Sequence, residues 1–338
     1  VYSTEPGFEL AAEPGGEPRA VTPPGPARVA VPADLESATD LLEAALTDAV
    51  ARRLPGEGPV LAFLSGGIDS SLIAAIAARL APGRVTAYTV GFDEARYDET
   101  PVAAAIAEHL RLPHQVLRLP VASYRPAFDA WTRAIAYPFA DPAAVPTLLA
   151  FEAARGLAPV ALDGTGADTL LGIMPARHHR LAARLGTWVP RALRRRIAQG
   201  LRAAGPLSGL APLLDFDDPE EILVRWRAWP RREIERLCGG QVSLAHTRYY
   251  RIYRGFRPHQ HLERYSALMG NLPDDRIHEA SRITGLEVRF PFFDPEVVAL
   301  VNALPMDLRY RPGEHKRILR HLLARHVPRP VWDLSLIH

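Results

Sequence analysis

Three groups of residues in this sequence could do chemistry together. The first is Ser65-Gly66-Gly67-Ile68-Asp69-Ser70, where an apolar run stops and a helical pattern begins. Glycines let backbone N–H groups come close to an anion, and Ser65 and Ser70 add hydroxyl donors. A helix starting here turns its positive end toward the same spot. Asp69 would repel phosphate unless a cation stood between them, so the loop implies Mg²⁺. A loop of the G-x-x-x-x-G-K-S/T kind is excluded, because it needs a lysine directly after its second glycine. The dinucleotide fingerprint G-x-G-x-x-G does not fit either. The second group is "ALDGTGADTLLG" at 161–172, with Asp163, Gly164 and Asp168. The third is Lys316, the one lysine among forty basic residues. In a chain so rich in Arg, Ala and Pro, a retained lysine is a candidate for work that a planar, permanently charged guanidinium cannot do. Survival by chance is the competing reading.

These groups need elements to bring them together. "DLESATDLLEAALTDAVARRL" from Asp34 repeats apolar positions at helical spacing. "PVLAFLS" (59–65) reads as a buried strand, 70–80 as a helix and "RVTAYTVGF" (84–92) as a second strand. A helix over 100–110 with Pro101 in its first turn, a strand over 114–119, a helix over 144–156 and a strand over 158–164 follow. Strands alternating with helices predict a doubly wound parallel sheet covered on both faces, an α/β fold. Ligands bind such sheets at the carboxyl edge of the strands. Both glycine-containing loops, 65–70 and 163–168, follow strands and so fall on that edge.

The middle, 173–265, is Arg-rich and helical in period, which reads as solvated helix faces or as an electropositive lid over an anionic substrate. The remainder, 266–333, reads as mainly helical, with 286–295 irregular. Residues 1–33 are rich in Pro and Gly and read as a linker or tail.

"LSGGIDSS" resembles the pyrophosphate-binding loop of the N-type ATP pyrophosphatases, the PP-loop enzymes that cleave ATP to AMP and pyrophosphate. "ALDGTGADTLLG" resembles the Ser-Gly-Glu-Gly-Ala-Asp-Glu loop of asparagine synthetases. "LEVRFPFFDPEVVALVNALP" (286–305) resembles their Glu-x-Arg-x-Pro-Phe-Leu-Asp segment, and "EHKRILRHLLARHVP" (314–328) their lysine-bearing helix. The four matches occur in family order over roughly 34–333. The chain is thereby similar to the synthetase domain of the asparagine synthetase family, which includes β-lactam synthetases and lasso-peptide cyclases.

The resemblance implies an adenine nucleotide α-hydrolase-like fold with an additional, mainly helical C-terminal region. It implies ATP and Mg²⁺, and amide-bond formation through an acyl-adenylate with release of AMP and pyrophosphate. Ser65, Gly66, Gly67, Asp69 and Ser70 would bind pyrophosphate. Leu64, Val90, Gly91, Asp163 and Gly164 would complete the ATP site. Asp69 and Asp168 would hold the metal, and Lys316 would be the catalytic lysine. Glu287 and Arg289 would be a structural pair positioning the lysine helix, with Asp294 in the same supporting segment.

Departures from the family pattern bear on substrate. Thr165 stands in the catalytic place of an acidic residue or a tyrosine, and Thr is a poor general base. Thr169 and Phe293 replace an acidic residue and a leucine, and the Asp-Arg-x-x-Met stretch before Glu287 is out of register. ATP handling stays credible on these residues, while aspartate as substrate is in doubt.

The bulk numbers bound the alternatives. The 338 residues carry 48% hydrophobic and 23% charged residues and a formal net charge of +2. Those values describe an ordinary globular protein and do not by themselves argue for nucleic acid. No apolar run is long enough for a membrane span, and a single cysteine, Cys238, allows no internal disulfide framework. A cytoplasmic enzyme is the default expectation. Partners expected from the resemblance are a small-molecule or peptide carboxylate, ammonia or an amine, and a glutaminase domain, lost from the chain or supplied in trans. Homodimerisation is a further expectation, and neither a membrane nor nucleic acid is expected as a partner. The competing readings are an intramolecular lactam- or macrocycle-forming ligase, a tRNA-modifying pyrophosphatase and a degenerate nucleotide-binding module. Residues 6–16 resemble the last strand region of the glutaminase domain, so 1–33 would be that domain's tail. The closing "LSLIH" (334–338) resembles a translated sequencing adapter and is expected to be non-native, which a longer read of the same gene would test.

Overall fold

The computed structural model describes residues 9–11, 19–21, 30–92, 98–135, 141, 143–171, 177–203, 205–216, 222, 231–240, 275–311 and 313–332. The chain forms two compact units, 1–171 with 272–338, and 172–271. Within 1–33, where composition predicts irregular chain, β1 (Glu9–Ala11) pairs antiparallel with β2 (Arg19–Val21). Strands of three residues are too short to show a period against a background of Pro and Gly.

The first unit is built on five strands: β3 (Val60–Phe63), β4 (Val85–Gly91), β5 (His114–Arg118), β6 (Val160–Leu162) and β7 (Glu287–Arg289). All pair in parallel, in the order β5-β4-β3-β6-β7. β7 lies in the segment that the sequence reading leaves irregular. It is a three-residue edge strand ending before Pro291, with only Val288 between two charged residues, so the apolar run that marks the inner strands is missing. The chain passes from β3 to β4 on one side and later reaches β6 on the other, which makes the β3–β6 boundary a topological switch point.

Side-chain alternation sends successive residues of one strand into two cores. Val60, Ala62 and Leu64 pack on one face with α1 (Leu35–Arg53), α2 (Ile68–Leu80) and α3 (Thr100–His109). Leu61 and Phe63 pack on the other with α4 (Tyr124–Ala134) and α5 (Ala144–Ala154). α6 (Ala167–Leu171) follows β6. α2 is apolar or small nearly all round and is buried accordingly, from Ile68 through Ala77 apart from Asp69, about a fifth of whose side chain is exposed.

The second unit contains α7 (Arg177–Gly186), α8 (Arg191–Ala203), a 3₁₀ turn at Gly205–Leu213 and α9 (Arg231–Cys238). Among its described residues a charged side chain is buried. Arg194 is buried with its guanidinium carbon 3.7 Å from the centre of the Phe216 ring, and it donates to the carbonyls of Phe216 (2.8 Å) and Val189 (3.1 Å).

The chain then returns to the first unit as α10 (Asp275–Thr284), β7, α11 (Pro295–Ala303) and α12 (Met306–Arg309). A two-stranded ladder, β8 (Tyr310–Arg311) with β9 (Glu314–His315), leads into α13 (Arg317–His326) and α14 (Arg329–Trp332). Among the described residues no helix is long and apolar enough to cross a membrane.

Candidate active site

Two loops meet over the switch point. The first leaves β3 at Leu64, whose amide bonds to the Tyr88 carbonyl (2.9 Å) and whose carbonyl accepts from Thr89 Oγ1 (2.6 Å). Gly66 then takes φ +81°, a left-handed conformation that favours glycine, and a Cβ there would press on Val102 and the Ala103 amide. Inside the loop Ser65 N donates to Ser70 Oγ (3.1 Å), the Ser65 and Ser70 hydroxyls bond each other (3.0 Å), and Gly67 N donates to Ser65 Oγ (3.3 Å). Ser71 Oγ donates to the Gly67 carbonyl (2.6 Å). The loop is thus held shut by its own hydroxyls at the amino end of α2, where the helix dipole is positive.

The second loop leaves β6 at Asp163. Its Oδ1 accepts from Thr165 N (2.7 Å), and its amide bonds to the Arg289 carbonyl (3.0 Å) on β7. The loops touch at Gly164, where a Cβ would lie 2.7 Å from Ser70 N and 2.8 Å from the Asp69 carbonyl carbon. Only a residue without a side chain allows this approach. Asp168 sits within the first turn of α6.

Lys316 reaches both loops from the far end of the sequence. Its Nζ lies 2.5 Å from Asp69 Oδ2 and 2.6 Å from Asp168 Oδ1. Lys316 and Asp69 are largely buried, with 17% and 20% of their side chains exposed, while Asp168 is half-exposed. The Lys316 backbone is left-handed at φ 52° and ψ 41°, a conformation that costs an L-residue about 1 kcal/mol or more. Directly after it, α13 buries Ile318, Leu319, Leu322 and Leu323 in the core, which anchors the bend.

Burial pushes the Asp69 carboxyl up to about 6, against the pull of Lys316 and with the help of the Asp168 and Asp163 charges. Burial also works against the Lys316 ammonium, but Asp69 and Asp168 outweigh it and hold the lysine above its ordinary value. Burial decides the direction at Asp69, and the two carboxylates decide it at Lys316. Asp69 Oδ1 is buried without a hydrogen-bond partner. A second cation would satisfy that oxygen, so Asp69 with Asp168 fits a divalent metal held by few carboxylates.

Beside the loops lies an open cavity of about 400 Å³. Leu64, Ser65, Val90, Asp163 and Thr165, all named from sequence, line it. Its aromatic lining is not announced by any motif. Phe63 stacks on Phe151 with ring centres 5.2 Å apart and meets Tyr88 edge-on at 5.9 Å. Arg276 also lines it and is paired with Asp141 at 2.9 Å. A pair 135 residues apart in sequence leaves no local signature. Gly91 ends β4 against Thr100, Val116 and Arg118 and is not among the lining residues.

The remaining sequence candidates lie in a supporting layer. Glu287 and Arg289 bond each other (2.7 Å), and Arg289 ends on the carbonyl of Arg53 (2.7 Å), at the end of α1. Asp294 accepts from Arg52 (2.8 Å) and Arg53 (2.7 Å) and caps α11 through Glu296 N (3.1 Å). α1 is in turn tied to α13 by Arg325 with Glu36, Asp40 and Glu43, and by His321 with Glu36. The link from this layer to the lysine helix runs through α1.

Comparison with known proteins follows the same stretch of chain. The family model for asparagine synthase matches residues 41–333. A Mycobacterium tuberculosis protein provisionally named a glutamine-hydrolysing asparagine synthetase is 31% identical over 315 residues, covering 86% of this chain and 46% of that one. Bacillus subtilis asparagine synthetase 1 is 26% identical, covering 86% and 47%. Streptomyces clavuligerus carboxyethyl-arginine β-lactam synthase is 36% identical over 145 residues, covering 42% and 27%. The chain spans about half the length of the two asparagine synthetases it matches.

Proposed function

The chain belongs to the asparagine synthase family, and on that premise we propose that it forms an amide bond at the expense of ATP, through an acyl-adenylate. The observation that carries this reading is the meeting of Lys316, Asp69 and Asp168 beside a loop of inward-turned hydroxyls and amides. ATP enters as a substrate. An oxygen of the substrate carboxylate bonds to the α-phosphorus, the bond to the bridging oxygen breaks, and pyrophosphate leaves with that electron pair. Ser65, Gly66, Gly67 and Ser70 take up the departing charge once the hydroxyls and amides that bond one another inside the loop turn to the phosphate oxygens. The aromatic and apolar cavity lined by Leu64 and Val90 suits a nucleobase, which buries a flat, weakly polar ring.

A divalent cation on Asp69 and Asp168 supplies charge neutralisation for the phosphates when bound. Lys316 supplies a movable ammonium whose charge its two carboxylate neighbours preserve. It stabilises negative charge first on the α-phosphate and then on the tetrahedral centre made when the amine attacks the acyl carbon. Thr165 offers a hydroxyl and no base, so the amine's proton leaves to the departing phosphate of AMP.

Likeness to one relative favours a second reading, intramolecular amide closure. Thr165 matches neither the acidic residue nor the tyrosine of the two branches and does not choose between them, but the S. clavuligerus relative, 36% identical over 145 residues, is named a β-lactam synthase.

The test is AMP and pyrophosphate release from ATP across aspartate, carboxyethyl-amino acids and peptides, with product masses recorded. Equal AMP and pyrophosphate dependent on a carboxylate is the expected result. A product lighter than its substrate by one water identifies the intramolecular reaction. Release of ADP, or release only with tRNA, overturns the proposal.

A further inference from the structure

Among the described residues of the second unit, several large apolar side chains on its helices are exposed. α7 buries Ala183 and Gly186, while Leu181, Leu185 and, just past its end, Trp188 recur at i, i+4 and i+7 and are exposed. α8 buries Arg194 and Ala198, while Leu193 and Ile197 are exposed at i, i+4. Trp188 is 84% exposed, and Leu207 and Leu210 on the following turn are about half exposed. The rest of the segment is cationic. Between Arg177 and Ala203 there are eight arginines and neither Asp nor Glu; Arg194 is buried and Arg202 pairs with Asp215, while Arg177, Arg184 and Arg196 are exposed.

We propose that α7, α8 and the turn after them form a docking surface for an anionic lipid membrane. Helices with an arginine-rich polar side and outward Leu, Ile and Trp lie at headgroup level, where apolar side chains enter the acyl boundary and guanidinium groups meet lipid phosphates. Trp188, the most exposed of the set, is of the residue type enriched at that boundary. Charge argues against a second copy of this chain, since an isologous contact would set these arginines against themselves. Nucleic acid would satisfy the arginines but offers leucine and isoleucine no stacking partner. A protein partner would need carboxylates at fixed places to match arginines spread along two helices, whereas a fluid headgroup layer accepts any spacing. The proposal concerns the second unit alone and does not depend on the chemistry assigned to the first.

The experiment is flotation of the intact chain with vesicles of phosphatidylcholine, and with vesicles of equimolar phosphatidylcholine and phosphatidylglycerol. Binding is expected to the mixed vesicles and to weaken as salt shortens the reach of the charges. The double variant Leu185→Ser, Trp188→Ser is expected to lower partitioning by roughly tenfold or more, with an unchanged thermal transition because both side chains are exposed. Bromolipid quenching of tryptophan fluorescence gives a second readout, expected for the wild type and reduced in Trp188→Phe. Absence of binding to the anionic vesicles overturns the proposal. So does unchanged partitioning of the double variant, or binding of RNA or an acidic polypeptide without vesicle binding.

Discussion

Lys316 holds a left-handed backbone between a two-residue strand and a buried helix, and its ammonium closes on two acids contributed by loops about 150 and 250 residues earlier. Length and a single mobile charge matter here more than hydrogen-bonding capacity. Lys316→Arg would place a planar fork where a point charge fits. Both Lys316→Arg and Lys316→Gln should lower amide formation by about 10²-fold or more, while ATP still binds by calorimetry. Wild-type turnover in either variant would remove Lys316 from the mechanism. At Gly164 the prediction concerns space. Gly164→Ala puts a methyl carbon into the Asp69–Ser70 backbone, and the loops must part. The expected loss is about 1–3 kcal/mol of stability, measured by denaturant unfolding, with weakened nucleotide binding. Both residues are legible in the sequence, because Lys316 is unique and Gly164 stands in a glycine-rich loop after a strand. Arg276 and the stacked Phe63 and Phe151 are not, because chain folding alone makes them neighbours.

The support of the site is an arrangement of helix ends. Asp294 joins the carboxyl end of α1 to the amino end of α11, and it is buried while doing so. Burial alone would raise its carboxyl, but the bonds from Arg53 and Arg52 and from Glu296 N–H outweigh it and hold the group below its ordinary value. A carboxyl depressed on folding contributes stability that is full above its unfolded value, near 3.8, and lost as pH falls through the folded value. Asp294→Asn should therefore flatten the acid limb of the stability curve, followed by denaturation from neutral pH down to about pH 3. Asp294→Ala should cost about 2 kcal/mol at neutral pH through the lost cap and the uncompensated arginines. A Tm equal to wild type would contradict this. The inner strands β3, β4 and β6 are readable from sequence because parallel strands covered on both faces are continuous apolar runs. β7 escapes because it is a short edge strand with charged residues either side of Val288.

The molecule divides into two compact units. Asp69, Asp168, Lys316 and the cavity all belong to the first. Among the described residues of the second, Arg194 is buried against Phe216, and Ala198, Ala211 and Ile222 are buried as well. Arg194→Ala should increase hydrogen exchange across 177–216 and leave ATP affinity within about twofold, because a cavity in one core is felt by its own contacts. Matching loss in both readouts would show the units to be one cooperative body. The first unit's sheet has two halves, β5-β4-β3 and β6-β7, and at their carboxyl edge the two loops press backbone on backbone at Gly164. Under the proposed amide-forming function, that contact separates a fixed coordinate from an adjustable one. A library that randomises position 165, which opens onto the cavity, and leaves 164 untouched explores new acceptors without loosening the seam, whereas one that randomises both mostly samples chains whose two halves no longer meet.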